Sequence, residues 1–388
     1  MLARLRQRLE SAIPRATSRV VAGRLRGELA GLLARHGELD RARDEIAKLR
    51  AEFRFEPDAG VTAWVSLAEG LLDYYEDLDT GCRDRLQRAY SLASAAQMRP
   101  LQALSTAWLA LLDYVQHDVD SMAQRLRHAF DLSTPDDHGV RARAGLVAAQ
   151  GYHWSGHMER AQPWYDSARQ HALADGDEAM MSAVLYNRYA IQMNLQREAE
   201  AQRVAESTER FDQMVGATSL HVLHPLMRAQ LLTIQGQFDE ARGLFAQHYE
   251  VGLQQGMKSK AALLLADRAW CEVRCGEVGK GLGLAHEAEA GLAALGDADD
   301  DAAARCRLVQ VYEACGSADD KDRAIELREV AARHWRAHIS QQSRWIERLD
   351  LALGSGGPPP RHGRSPRSMP RSPRPSAIST RASSAPRC

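Results

Sequence analysis

The chain has 388 residues, 45% of them hydrophobic and 26% charged, with a formal net charge of −1. That composition describes a globular protein, and the near-neutral charge disfavours nucleic-acid binding by bulk electrostatics. No apolar run reaches the ~18 residues of a membrane span. Six cysteines over this length make no disulfide framework. A cytoplasmic location is expected.

Residues 1–16 place Leu2, Leu5, Leu9 and Ile13 on one helical stripe, with Arg4, Arg6 and Arg8 beside it. Arginines stand where a secretory signal would be apolar. The stripe predicts an N-terminal amphipathic helix docked as a cap on the first repeat. A helix lying on an anionic membrane surface is the alternative.

Residues 17–337 carry a repeat. Gly37-Glu38-Leu39-Asp40-Arg41-Ala42, Gly156-His157-Met158-Glu159-Arg160-Ala161 and Gly236-Gln237-Phe238-Asp239-Glu240-Ala241 are three copies of one loop. Gly276 and Gly316 continue the series, and Asp77, His117 and Gln196 fill the gaps, so the positions recur every 39 or 40 residues. A column of small residues precedes the loop: Ala30, Gly70, Ala110, Ala149, Ala229 and Ala269, broken by Tyr189 and Leu308. A second column lies beyond it: Ala42, Cys82, Ala161, Ala201, Ala241 and Gly281, with Met122 larger and Ala324 displaced by an insertion. Small residues on both sides of a tight loop let two antiparallel helices approach closely. Pro57, Pro100, Pro135, Gly176, Gly216, Gly256 and Gly296 punctuate the copies. Each copy is therefore a helical hairpin that cannot bury its own apolar face, and about eight of them stack into a continuous core. The predicted fold class is all-α: a right-handed α-solenoid of about eight helix–turn–helix repeats with a period near 40.

The loop at Gly236–Ala241 resembles the middle of a tetratricopeptide repeat. So does the fourth copy, in which Ala149, Tyr152, Ala161, Tyr165 and Ala168 match that family's small and aromatic positions in order. The usual period is 34. The longer one resembles the repeats of bacterial regulators of the maltose-activator type. HEAT repeats also run near forty residues but lack the small–loop–small signature. The resemblance spans roughly residues 17–337 and bears on fold far more than on function.

Beyond it, Trp335, Ile339, Gln342, Ile346, Leu349 and Leu353 are spaced 4, 3, 4, 3, 4, a short heptad seam. Residues 338–353 read as a capping helix, with a signalling helix as the sharper alternative, and the seam over 335–353 offers a homodimer contact. The region from Val311 to Leu353 looks like the junction at which such repeats precede a diguanylate cyclase domain. Residues 354–388 hold eight Pro, eight Ser and seven Arg with no acid, a charge of +7 that leaves −8 on the rest. They are expected to be disordered. A truncation or frame change near residue 354, replacing an output domain, is the competing expectation.

Motifs for chemistry are missing. There is no phosphate-binding loop, HExxH, nucleophile elbow or CxxC, so no enzyme, cofactor or metal is expected. Gly279, Gly281 and Gly283 have no strand before them. Cys271, Cys275, Cys306 and Cys315 lie on matching helices about a helix diameter, ~10 Å, apart, too far to share zinc. They read as small hydrophobes. His221 and His224 read as surface or capping groups, and Asp297, Asp299, Asp300 and Asp301 as a solvated loop beside a helix start.

The resemblance implies that the first helix of each hairpin lines a concave groove. The matching positions are Trp64, Leu71, Tyr74 and Tyr75 in copy two, Tyr114 in copy three, His153 and Trp154 in copy four, Tyr186 in copy five, Trp270 in copy seven and Tyr312 in copy eight. Aromatics anchor interfaces by burying large area at low entropy cost, although about half of these should pack between repeats. Arg188, Arg228 and Arg268 stand forty apart and form a ladder of guanidiniums, to be neutralised within the chain or by an acidic partner. Asn187 matches a family position that can bond a peptide backbone. The lysine and asparagine clamp of chaperone-binding relatives is not evident. The expected function is recognition of a protein or peptide in an aromatic-lined groove, without catalysis. The alternatives are the sensory part of a signalling protein of the diguanylate cyclase type, or a small-ligand-binding regulator.

Overall fold

The computed structural model describes residues 4–76, 81–215, 223–254, 260–295, 298–354 and 357–358. It is an all-α solenoid. A short helix α1 (Leu5–Ala12) precedes α2 (Arg19–Arg35) and α3 (Leu39–Glu52), which form the first hairpin. The second is α4 (Ala59–Tyr75) and α5 (Cys82–Ala95), and the third α6 (Arg99–Val115) and α7 (Val119–Leu132). The fourth is α8 (His138–Trp154) and α9 (Met158–Asp175), and the fifth α10 (Glu178–Asn194) and α11 (Glu198–Val215). Then come α12 (Leu223–Ile234) with α13 (Phe238–Gln254), α14 (Ala261–Arg274) with α15 (Val278–Gly291), and α16 (Ala298–Cys315) with α17 (Ala318–Leu353).

The forty-residue loop column is a column of left-handed backbone. Gly37, Gly156, Gly236, Gly276 and Gly316 all have φ between 77° and 91°, and His117 and Gln196 reach 57° and 56°. Glycine is favoured there because it has no Cβ to clash. Asp77, Gly216, Gly256 and Gly296 lie outside the described residues, as does the tail from residue 359. Both small-residue columns are buried: Ala30, Ala110, Ala149, Ala229, Ala269, Ala42, Ala161, Ala201 and Ala241 are all 0% exposed. At Gly281 an added Cβ would lie 2.4 Å from Val273 Cγ2 and 3.0 Å from the Ala269 carbonyl oxygen. The helices of the seventh hairpin touch at that point.

Side-chain caps set several helix starts: Ser18 accepts from Val21 N–H, Asp58 from Val61 N–H and Asp177 from Met180 N–H. One core runs from Leu5 through Ile191 and includes Trp345 and Leu349 of α17. A second spans Leu226 to Leu327, and Tyr189, Ala201, Met227 and Leu231 lie between them.

Two features go beyond a plain stack. The solenoid closes on itself, because Arg35 at the end of α2 pairs with Asp177, the N-cap of α10, across 142 residues. The N-terminal helix reinforces this closure. Leu5 N–H donates to Gly176 carbonyl at 2.9 Å, Arg4 pairs with Glu178 at 2.7 Å, and Arg8 pairs with Asp175. Second, α17 is one uninterrupted helix of 36 residues. Its first half packs on α16, and its second half crosses to α7 and α8. The second helix of hairpin eight and the segment 338–353 are thus the same rod.

Candidate partner-binding site

The groove residues fall into separate clusters. In repeats two to four, Tyr74 and Tyr75 meet edge to face at 5.1 Å, and both lie against Trp108 of α6, at 6.0 and 6.4 Å. Burial pushes the Tyr74 hydroxyl up to about 12. The Arg143 guanidinium of α8 sits 3.7 Å over the Trp108 ring. Trp64 packs on Gly27, where any Cβ would strike it, and Leu71 is buried against Gly31.

A second cluster joins repeats three and four to α17. The Trp154 and Trp345 rings are 4.3 Å apart, His338 lies 4.4 Å from Trp154, and Tyr114 lies 6.0 Å from Trp345. Leu349 is fully buried over Gly151. Polar contacts rim the patch. Tyr152 donates to Asp350 at 3.2 Å, Arg160 pairs with Asp350, and Arg344 and Arg348 both reach Asp120. Gln342 donates to the Trp154 carbonyl at 3.5 Å. Hydrophobic centre and polar rim together are the anatomy of an interface, formed here between two parts of one chain.

In the third cluster, His153 contacts the Tyr165 hydroxyl at 3.3 Å and Asn194 at 2.8 Å. Burial lowers this imidazole to about 4, so it is neutral at physiological pH. Asn187 donates to Ala183 carbonyl at 2.8 Å and accepts from Gln150 at 3.4 Å. Its amide is engaged inside the chain. Tyr186 packs beside Tyr189 and Met227, and burial raises its hydroxyl. In the second half, Trp270 meets Phe238 at 6.3 Å with Arg274 over both rings. Tyr312 is 1% exposed and donates to Glu289 at 2.9 Å, with burial pushing it up to about 12.

Two of the three arginines of the column are paired locally. Arg188 lies 3.7 Å from Asp166, and Arg228 reaches Glu240 at 3.1 Å and Glu209 at 3.8 Å. Arg268 is partly buried, near enough to Tyr249 to favour its ionised form. Of the thiols, Cys271 is buried against Thr233 at 3.2 Å and pushed up to about 11 by burial. His224 is buried at the start of α12, and His221 lies outside the described residues.

Sequence reasoning did not single out Trp108, Arg143 or Trp345. The face of α17 that docks is His338, Gln342, Trp345 and Leu349; it shares Gln342 and Leu349 with the heptad seam but takes His338 and Trp345 where the seam has Ile339 and Ile346. Ile339 is 43% exposed. The two sets coincide at two positions and differ by one residue at the other two, and an amphipathic pattern with apolar residues on both sides of the seam does not decide between them. For the first cluster the signal is a drift. Tyr74, Trp108, Arg143 and Asp177 are 34 or 35 residues apart, so the line of contact steps toward the start of the inner helix with each 40-residue repeat.

The architecture defines a helical-repeat protein of tetratricopeptide-like fold. No protein-family model matches the chain, and no curated protein matches it. Among solved structures the chain is similar to "Rap Protein Complexed with Competence and Sporulation Factor", at a TM-score of 0.56 and 12% identity, over 84% of this chain and 98% of that one. At that identity the likeness bears on the fold.

Proposed function

We propose that this chain is a non-catalytic interaction module that receives an amphipathic segment of a protein or peptide partner on the aromatic surface of repeats three and four. The observation that carries this reading is the docking of α17. Tyr114, Trp154, Asp120 and Arg160 accept a helix that presents Trp345 and Leu349 at its centre and charged groups at its edges. A surface that binds such a helix in cis has the shape and chemistry to bind one in trans. The similar fold found in a complex with competence and sporulation factor supports a partner-binding role. A cytoplasmic location and an acidic face on the partner, met by Arg188, Arg228 and Arg268, belong to the same reading. Among the described residues no helix is long and apolar enough to cross a membrane.

A regulatory reading is favoured by the same helix. One rod links the eighth hairpin to the third and fourth, so a partner that displaces its second half also repositions the chain beyond Leu353. An output domain of the diguanylate cyclase type would be driven in this way.

The test uses a labelled peptide of residues 335–353. It is expected to bind the full chain carrying Trp345→Ala and Leu349→Ala at least about ten-fold more tightly than the wild type, whose own helix competes. Adding Trp154→Ala and Tyr114→Ala, the two rings against Trp345, should abolish that binding while circular dichroism stays helical. No binding by the folded Trp345→Ala, Leu349→Ala chain overturns the proposal.

A further inference from the structure

Arg143 is the most completely buried arginine among the described residues, at 4% exposure. Among the described residues its neighbours leave its charge unanswered. Buried carboxylates elsewhere in the solenoid are matched: Asp113 with Arg83 and Arg125, Glu69 with Arg50 and Arg85, Asp267 with Arg307, Glu272 with Arg242 and Lys280. Arg143 has no hydrogen-bond or ion-pair partner among the described residues, and its Nε is a buried donor with no acceptor. Its guanidinium sits over the face of Trp108, at 3.7 Å. Cation–π attraction offsets part of the desolvation cost but satisfies none of the five N–H donors. A buried unpaired guanidinium is costly enough that folds seldom retain one without a use.

The surroundings are those of a ligand site. Tyr74 and Tyr75 stand beside Trp108 and bring two hydroxyls within electrostatic reach of the guanidinium. Both tyrosines are only partly buried, so the cluster reaches the surface at their rings. The other nearby cation, Arg35, is already paired with Asp177, which leaves a residual charge of one among the described residues. We propose that Arg143, Tyr74, Tyr75 and Trp108 form a binding site for a small monocarboxylate, whose planar group meets the guanidinium fork and whose apolar body lies against the rings. A single negative charge balances the site, whereas a phosphate dianion would leave an excess in a buried place. The planar match of carboxylate to guanidinium supplies the geometry. The site adds a small ligand to the partner-binding reading and occupies different residues, so the two stand or fall separately.

The experiment is thermal melting of the full chain as sodium chloride is exchanged at constant ionic strength for sodium acetate, sodium benzoate or sodium phosphate. Binding to the native state raises the melting temperature with ligand concentration. Acetate and benzoate are expected to raise it in the wild type, benzoate at lower concentration. Arg143→Met should abolish the response while melting no lower than wild type in chloride, because it removes an unpaired buried charge. Arg143→Lys and Tyr75→Phe should each weaken carboxylate affinity at least about ten-fold, the lysine because it lacks the fork. Wild type indifferent to acetate and benzoate overturns the proposal, as does Arg143→Met responding like wild type. A response to phosphate alone overturns the monocarboxylate assignment. Should Arg143→Met not fold, unchanged responses in both Arg143→Lys and Tyr75→Phe overturn it equally.

Discussion

Trp345, near the end of the last helix, lies 4.3 Å from Trp154, the last residue of the inner helix of the fourth hairpin. This contact ties the last helix into the core built by the first five hairpins. Its loss should release α17 locally and leave the repeats folded, because the first half of the rod stays packed on α16. Large-to-small changes of a buried Trp cost about 3–5 kcal/mol. Trp345→Ala is therefore expected to speed amide exchange over residues 338–353 at least about a hundred-fold, with protection in α4 and α5 unchanged. Unaltered exchange in 338–353 would show that the rod is held by Leu349 and the Asp120 and Asp350 ion pairs instead.

The closure between Arg35 and Asp177 gives a different expectation. Asp177 does two things: it neutralises Arg35 and it caps α10 through Met180 N–H. Asp177→Asn keeps a cap and loses the charge, and breaking one partner of a buried pair costs about 3–5 kcal/mol. Asp177→Ala loses the cap as well, adding about 1 kcal/mol. Denaturant titration should rank the variants in that order. Small-angle scattering should show a larger radius of gyration in both, as hairpin one separates from hairpin five.

The periodic part of this architecture was legible because it repeats. A loop that needs left-handed backbone selects glycine at Gly37, Gly156 and Gly236, and close helix contact selects Ala or Gly on either side. The non-glycine copies at His117 and Gln196 were legible only through their neighbours forty residues away. The aromatic residues at groove positions were also visible, but their grouping was not. Which rings meet depends on superhelical closure, set by single long-range pairs such as Arg35 with Asp177. No local pattern encodes a partner 142 residues distant. The docking face of α17 was hidden for a related reason. Both faces of that helix carry apolar residues, and only the third and fourth hairpins decide that Trp345 is the buried one.

Three buried groups make stability depend on pH in opposite senses. Burial and the neighbouring Asp175 raise Glu28 to about 7. The folded state therefore holds a proton that the unfolded chain releases, and stability falls as pH rises from about 4.5 to 7. Burial lowers His36 and His153 to about 4. The unfolded chain then binds protons that the fold excludes, so stability falls as pH drops from about 6.5 to 4. Wild type should be most stable at about pH 7, where the gain from the two imidazoles and the loss from the single carboxyl cancel. Glu28→Gln isolates the first: its stabilisation relative to wild type should grow from pH 4.5 to 7 by up to about 3 kcal/mol and then level off. A difference that does not change with pH would mean that Glu28 is ionised in the fold.

The glycines of α15 separate packing from propensity within one helix turn. Nothing lies within 4 Å of where a Cβ would stand at Gly279 or Gly283. Alanine there gains helix propensity, about 0.5–1 kcal/mol of added stability at each position. Gly281 faces α14, and its Cβ would collide with Val273 and with backbone at Ala269. That carbonyl is held in the helix ladder and cannot swing away as a side chain can, so Gly281→Ala should destabilise by about 1–3 kcal/mol despite the same gain in propensity. Melting of the three single variants checks the pattern. Gly281→Ala melting above wild type would mean that the seventh hairpin relaxes freely, and that small residues flanking the loop are a preference rather than a requirement of the fold.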